Sequence, residues 1–133
     1  MQSPHIDHIG IIVADLDRAT AMFQRLFGRP PVSTRDMSEV GIRIAKFQAE
    51  NIAIELIEYT AEGPSFAREV MGDALGINHI AARVGDMDAA MEQYAAAGLK
   101  AQPGFPRPGA DGQVTFFEKE ESTGLLFEIC QHE

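Results

Sequence analysis

The sequence predicts an α+β fold: two βαβββ modules forming a curved half-barrel mixed sheet around a cleft, with the helices on the outer face. Three observations predict it. The stretch "INHIAARVGDMDAAMEQYAAAG" at 77–98 repeats "IDHIGIIVADLDRATAMFQRLFG" at 6–28. Each copy passes from a run of β-branched residues to an aspartate and then to an amphipathic helical pattern that stops at glycine. Four ionisable residues, His8, Glu55, His79 and Glu128, stand at related places inside otherwise apolar runs.

With the copies displaced by 79 − 8 = 71 positions, Ile6, His8, Ile9, Val13, Asp15, Asp17 and Ala19 fall on Ile77, His79, Ile80, Val84, Asp86, Asp88 and Ala90, half of the window 6–19. "IAIELIEY" at 52–59 then answers "LLFEICQH" at 125–132, with Glu55 and Glu128 displaced by 128 − 55 = 73. A module of about 70 residues said twice fills the chain. The expected organisation is one domain over 1–133: a first module at about 5–60, a linker helix at about 61–75 and a second module at about 76–133.

In the first module, residues 5–13 predict a strand. Asp15 predicts an N-cap, Leu16, Ala19, Phe23 and Leu26 lie at helical spacing, and Gly28 suits the left-handed position after the last turn. Strands are expected at 31–33, 41–48 and 51–59. In the linker, Pro64 is expected to open a short helix that runs through Val70 and closes at Gly72. The second module repeats the plan: a strand at 77–84, a cap at Asp86, a helix carrying Met87, Ala90 and Tyr94, an end at Gly98, and strands at 100–102, 113–118 and 125–131.

A chain of 133 residues is one domain's worth and buries roughly two-thirds of the surface its unfolded form exposes, so no second core is required. A formal charge of −9, with only 11 Lys and Arg spread along the chain, argues against a nucleic-acid surface. No apolar run approaches the ~18 residues of a membrane span. The start "MQSPHIDH" lacks the basic and apolar regions of a leader. A single cysteine, Cys130, excludes an intrachain disulfide and fits a reducing compartment, so a cytoplasmic protein is expected.

The four ionisable residues carry the chemistry. Glu55 shares its strand face with Ala53 and Ile57 and is backed by Ile54 and Leu56; Glu128 lies between Leu126 and Cys130 and is backed by Phe127 and Ile129. A carboxylate desolvated there costs several kcal/mol unless something pairs with it. Taken singly, such a histidine is usually a hydrogen-bonded core residue and such a glutamate usually faces water. Taken as a set related by the repeat, one His and one Glu from each copy form a ligand group for a divalent metal ion: zinc, cobalt, nickel, manganese or iron(II). Four protein ligands on an ion that takes about six leave room for a bidentate oxygen substrate. His5 and His132, near the chain ends, are expected in solvent, and Cys130 is expected as a packed thiol.

At these residues the sequence resembles the vicinal oxygen chelate superfamily, and within it the methylmalonyl-CoA epimerases. Their opening motif, typically "DHIGIAV.DL", is echoed by "DHIGIIVADL", and the likeness covers essentially the whole chain. "GPSFAREVMGDALGINHIA" at 63–81 and "RPGADGQVTFFEKEESTGLLFEICQ" at 107–131 resemble epimerase segments rather than glyoxalase ones. The resemblance implies paired βαβββ modules, metal ligands at His8, Glu55, His79 and Glu128, a homodimer, and an acyl-CoA substrate that undergoes a 1,1-proton transfer with Glu55 and Glu128 as the acid/base pair. Arg107, Gly109 and Gly112 are the residues expected at the CoA phosphates. The sequence departs from the pattern at Glu118 and Lys119, at Tyr59, and at Ile44, where some bacterial epimerases carry a proposed catalytic glutamate. Two other functions fit the same residues: a glyoxalase I-like isomerisation of a thiohemiacetal, and non-catalytic binding of a drug or metabolite.

Overall fold

The computed structural model describes residues 3–133. Its elements are β1 (His5–Ile12), α1 (Leu16–Phe27), β2 (Ser33–Met37), β3 (Ile42–Gln48), β4 (Ala53–Tyr59), α2 (Phe66–Met71), β5 (Gly76–Arg83), α3 (Met87–Ala96), β6 (Arg107–Pro108), β7 (Gly112–Phe116) and β8 (Leu126–His132). This is an α+β fold of two βαβββ modules, each with four strands in mixed pairing. His8–Asn78 is one compact unit; the described residues before it join His79–Glu133 in the other.

In the first module the strand order is β2-β3-β4-β1, with β1 parallel to β4 and the other pairings antiparallel. Helix α1 starts where Asp15, in extended backbone, accepts a hydrogen bond from Arg18 N, and stops at Gly28, whose φ of 70° is left-handed. Its apolar stripe is Leu16, Ala19, Phe23 and Phe27, packed against Ala45, Phe47 and Leu56; Leu26, expected on that stripe, is 68% exposed, and Phe27 takes its place. Phe47 touches both Phe23 and Phe27, with ring centroids 5.7 and 5.6 Å apart. Full burial of side chains of this size contributes roughly 1.5–3 kcal/mol each, so this cluster holds the helix to its sheet.

The second module uses the order β5-β8-β7-β6, again with its first and last long strands parallel. Asp86 caps α3 by accepting from Ala89 N, and Met87 and Ala90 pack on Ala82, Phe117 and Ile129. Tyr94 completes that core against Phe117 and Phe127.

Three boundaries differ from expectation, each for a local reason. The edge strand expected at 31–33 runs instead over Ser33–Met37, because Pro30 and Pro31 have no N–H to enter a ladder. The strand expected at 100–102 is reduced to one bridge, Ala101 to Phe117, and Pro103 ends it; the edge strand is Arg107–Pro108. The linker helix opens on Ser65, whose hydroxyl accepts from Arg68 N at 3.1 Å, rather than on Pro64, which has no such acceptor. Helix α3 closes as expected: Ala97 is in right-handed backbone and the left-handed turn follows at Gly98, with φ 96°.

Candidate functional site

Strand alternation sets the site. In β4, Glu55 and its flanking Ala53 and Ile57 are all buried. β1 is parallel to β4 with His8 opposite Ala53 and Gly10 opposite Glu55, so the imidazole and the carboxylate lie diagonally across the ladder. His8 Nδ1 and Glu55 Oε2 are 3.6 Å apart. The second module repeats the device: β5 sets His79 opposite Leu126 and Ala81 opposite Glu128, and His79 Nε2 lies 3.2 Å from Glu128 Oε1. All four side chains are withdrawn from water, with His8 4%, Glu55 6%, His79 2% and Glu128 4% exposed.

Two atoms each about 2.1 Å from a shared ion lie about 3.0 Å apart at a right angle and about 3.4 Å apart at the tetrahedral angle. Within each module, the His–Glu spacing therefore fits two ligands of one metal ion. Among the described residues, His8, His79 and Glu128 are buried candidate metal ligands. Phe116 buttresses the second pair, its ring edge-on to His79 with centroids 4.9 Å apart. At Ile44 the structure has a buried aliphatic side chain, paired across the ladder with Ile57.

The residues expected at the CoA phosphates have local roles of their own. Arg107 is half-buried in β6 opposite Val114. A Cβ on Gly109 would sit 2.6 Å from Val114 Cγ1, and one on Gly112 would sit 2.1 Å from the Gln131 carbonyl oxygen. Gly112, with φ 151°, is therefore required where β7 meets β8. The linker explains another departure: Tyr59 donates to the Gly72 carbonyl at 2.6 Å and lies under the Arg68 guanidinium, 4.2 Å from its ring centroid. Arg68 in turn holds the Gly63 and Ala61 carbonyls and the Asp73 carboxylate. Glu118 and Lys119 are exposed, Glu118 lying 4.0 Å from Lys100 Nζ. Cys130 is a buried thiol, as expected.

His132 is a correction. Expected in solvent, its Nε2 lies 3.0 Å from Asp7 Oδ1. Asp7 is itself buried and accepts from Arg83 Nε and Nη2 at 3.0 and 2.8 Å. Sequence reasoning missed this cluster, which fixes the backbone one residue before His8. A signal was present: Asp7 stands at the place of Asn78 in the repeat, so both copies put a polar side chain directly before the histidine. Asn78 uses its own to donate to the Met71 carbonyl at 2.8 Å.

Doubled βαβββ modules, each with a buried histidine beside a buried glutamate, define a class of small paired-module proteins built around a candidate metal site. Residues 7–117 match the Glyoxalase/Bleomycin resistance protein/Dioxygenase superfamily, and the chain belongs to that family. It is 30% identical over 129 residues to an uncharacterized protein, YqjC, of Bacillus subtilis, covering 95% of this chain and 91% of that one. It is also 30% identical over 129 residues to the ethylmalonyl-CoA/methylmalonyl-CoA epimerase of Cereibacter sphaeroides, covering 95% and 96%. A solved methylmalonyl-CoA epimerase in complex with methylmalonyl-CoA and NH4+ superposes with a TM-score of 0.84 at 26% identity, over 98% of this chain and 96% of that one. The chain is thus related to methylmalonyl-CoA epimerases. No helix among the described residues is long and apolar enough to cross a membrane.

Proposed function

We propose that this protein is a metal-dependent epimerase that performs a 1,1-proton transfer on an acyl-CoA thioester of the methylmalonyl-CoA type. The observation that carries the reading is the buried His–Glu pair that each module sets within metal-ligand spacing. The likeness to epimerases supports the choice of reaction and of substrate.

His8, Glu55, His79 and Glu128 would together hold one divalent ion, cobalt, nickel, zinc, manganese or iron. When bound, such an ion supplies Lewis-acid stabilisation of negative charge on carbonyl oxygens. The chain's own residues do the rest. A carbon between a thioester carbonyl and a carboxylate is already acidic, and a carboxylate beside it needs only to be dry and positioned to take the proton. Glu55 and Glu128 are both dry. Each has two oxygens, so one could be held as a ligand while the other accepts the proton, and each carboxylate would serve one face of the planar carbanion. One of the two would start as the carboxylate and take the α-proton, while the other, starting as the carboxylic acid, would deliver its own proton to the opposite face; the centre is inverted and the two groups end with their protonation states exchanged. Arg107, placed by the turn at Gly109 and Gly112, would meet the CoA phosphates. The whole chain would act as one domain, as a homodimer in the cytoplasm.

The test is exchange in deuterated water. Protein loaded with a divalent ion is expected to replace the α-proton of methylmalonyl-CoA with deuterium, read by mass, and to form no thioester from methylglyoxal and glutathione. Absence of exchange with metal bound ends the epimerase reading, and thioester formation replaces it with a glyoxalase one.

A further inference from the structure

One cation is placed against this site by register alone. In the antiparallel pairing of β3 with β4, Lys46 is directly opposite Glu55. Directly opposed residues point to the same face with Cβ atoms about 4.5–5.5 Å apart. Lys46 therefore projects from the face that carries Glu55, among Ile42, Ile44, Ala53 and Ile57, all of them buried. It is half-buried there, while the alternate residues Ala45 and Phe47 pack beneath α1. A lysine in the middle of an apolar sheet face is costly to keep unless its charge is used.

Balancing the charge of Glu55 is one use, but the second module shows that the fold does not require it. At the equivalent register, Phe116 is opposite Glu128. Glu128 is at least as deeply buried as Glu55, at 4% against 6% exposed, with an aromatic ring opposite where the first module has an ammonium. The two modules thus present the same His–Glu pair with different neighbours, a cation in one and an apolar ring in the other.

We propose that Lys46 selects the substrate: its ammonium binds the acyl carboxylate, so the site takes carboxylated acyl thioesters in preference to neutral ones. The assignment rests on the acyl-CoA reading above. It adds a specificity residue on β3, the strand where Ile44 leaves no carboxylate.

Equilibrium binding of malonyl-CoA and acetyl-CoA to the metal-loaded protein tests it, using wild type, Lys46→Met and Lys46→Arg. Lys46→Met is expected to weaken malonyl-CoA binding about tenfold, the size of one charge-assisted hydrogen bond, and to leave acetyl-CoA within about twofold. Lys46→Arg is expected to keep most of the preference. A lysine that serves only to balance Glu55 would change both ligands equally or neither, and either result overturns the assignment while leaving the epimerase reading intact. Wild type that binds neither ester overturns both.

Discussion

The two modules place different side chains on the same backbone positions, and the differences fall in three pairs. Glu55 is opposite Lys46 where Glu128 is opposite Phe116. Glu58 Oε2 accepts from Leu16 N at 3.0 Å to anchor the start of α1, where Gln131 Oε1 accepts from Met87 N at 2.7 Å to anchor α3. Tyr59, closing β4, donates to the Gly72 carbonyl in the linker, where His132, closing β8, meets Asp7. The positions are kept because each answers a backbone need, such as an orphan N–H at a helix start. The residues differ because many side chains meet the same need. The His–Glu pairs, like the capping Asp15 and Asp86, repeat in both identity and place, and the proposed metal site is built on them.

The largest effect is expected where the modules are alike. If the two pairs hold one ion, metal-loaded wild type contains about one equivalent per chain. His8→Ala and His79→Ala should then each weaken binding about 100-fold or more, since ligands lost from either module empty the same site. Elemental analysis after dialysis measures it. Variants that each keep half of the wild-type content of two ions would mean that every module binds its own.

The next effect should separate the modules. Glu58 is a charged acceptor, also held by Arg43 at 3.3 Å, while Gln131 is neutral. A hydrogen bond to a charged group contributes about 1.5–3 kcal/mol and a neutral one about 0.5–1.5. Glu58→Ala should therefore cost about 2 kcal/mol in urea unfolding and Gln131→Ala about 1 kcal/mol. The exposed Arg43–Asp17 contact, at 3.4 Å, adds little. Equal losses would mean that the acceptor's charge is spent on Arg43 and contributes nothing to α1.

How far the fold was legible follows the same division. The repeat, the aspartate caps and the alternation in β1, β4, β5 and β8 were legible, because hydrophobic period and capping oxygens act locally. So were His8, Glu55, His79 and Glu128, since an ionisable residue in a dry strand stands out against its neighbours. The edge strands were not: β2 and β6 are short and bounded by prolines, and only their partners decide where pairing starts. Asp7, Arg83 and His132 were not legible as a cluster, because three residues far apart in sequence meet only after β5 and β8 pair. Nothing in the sequence singles out Lys46; only the β3–β4 register sets it against Glu55.

The smallest effect concerns the strand-closing residues. Burial pushes the Tyr59 hydroxyl up from about 10 to about 12, opposed by the positive charge of Arg68 and helped by the negative charge of Asp73. A folded-state pKa above the unfolded one means that the native state holds its proton while the unfolded chain gives it up. Stability from this group is whole below about pH 10 and is lost as pH rises toward about 12. Tyr59→Phe should therefore flatten the fall in stability between those pH values, and it should lower stability near neutrality by removing the bond to Gly72. With only two tyrosines in the chain, a Tyr94→Phe background lets tyrosinate absorbance report Tyr59 alone. An ordinary tyrosine titration there, or an unchanged alkaline slope in Tyr59→Phe, would mean that the linker opens before Tyr59 ionises and that the clamp on Gly72 is the weaker of the two strand closures.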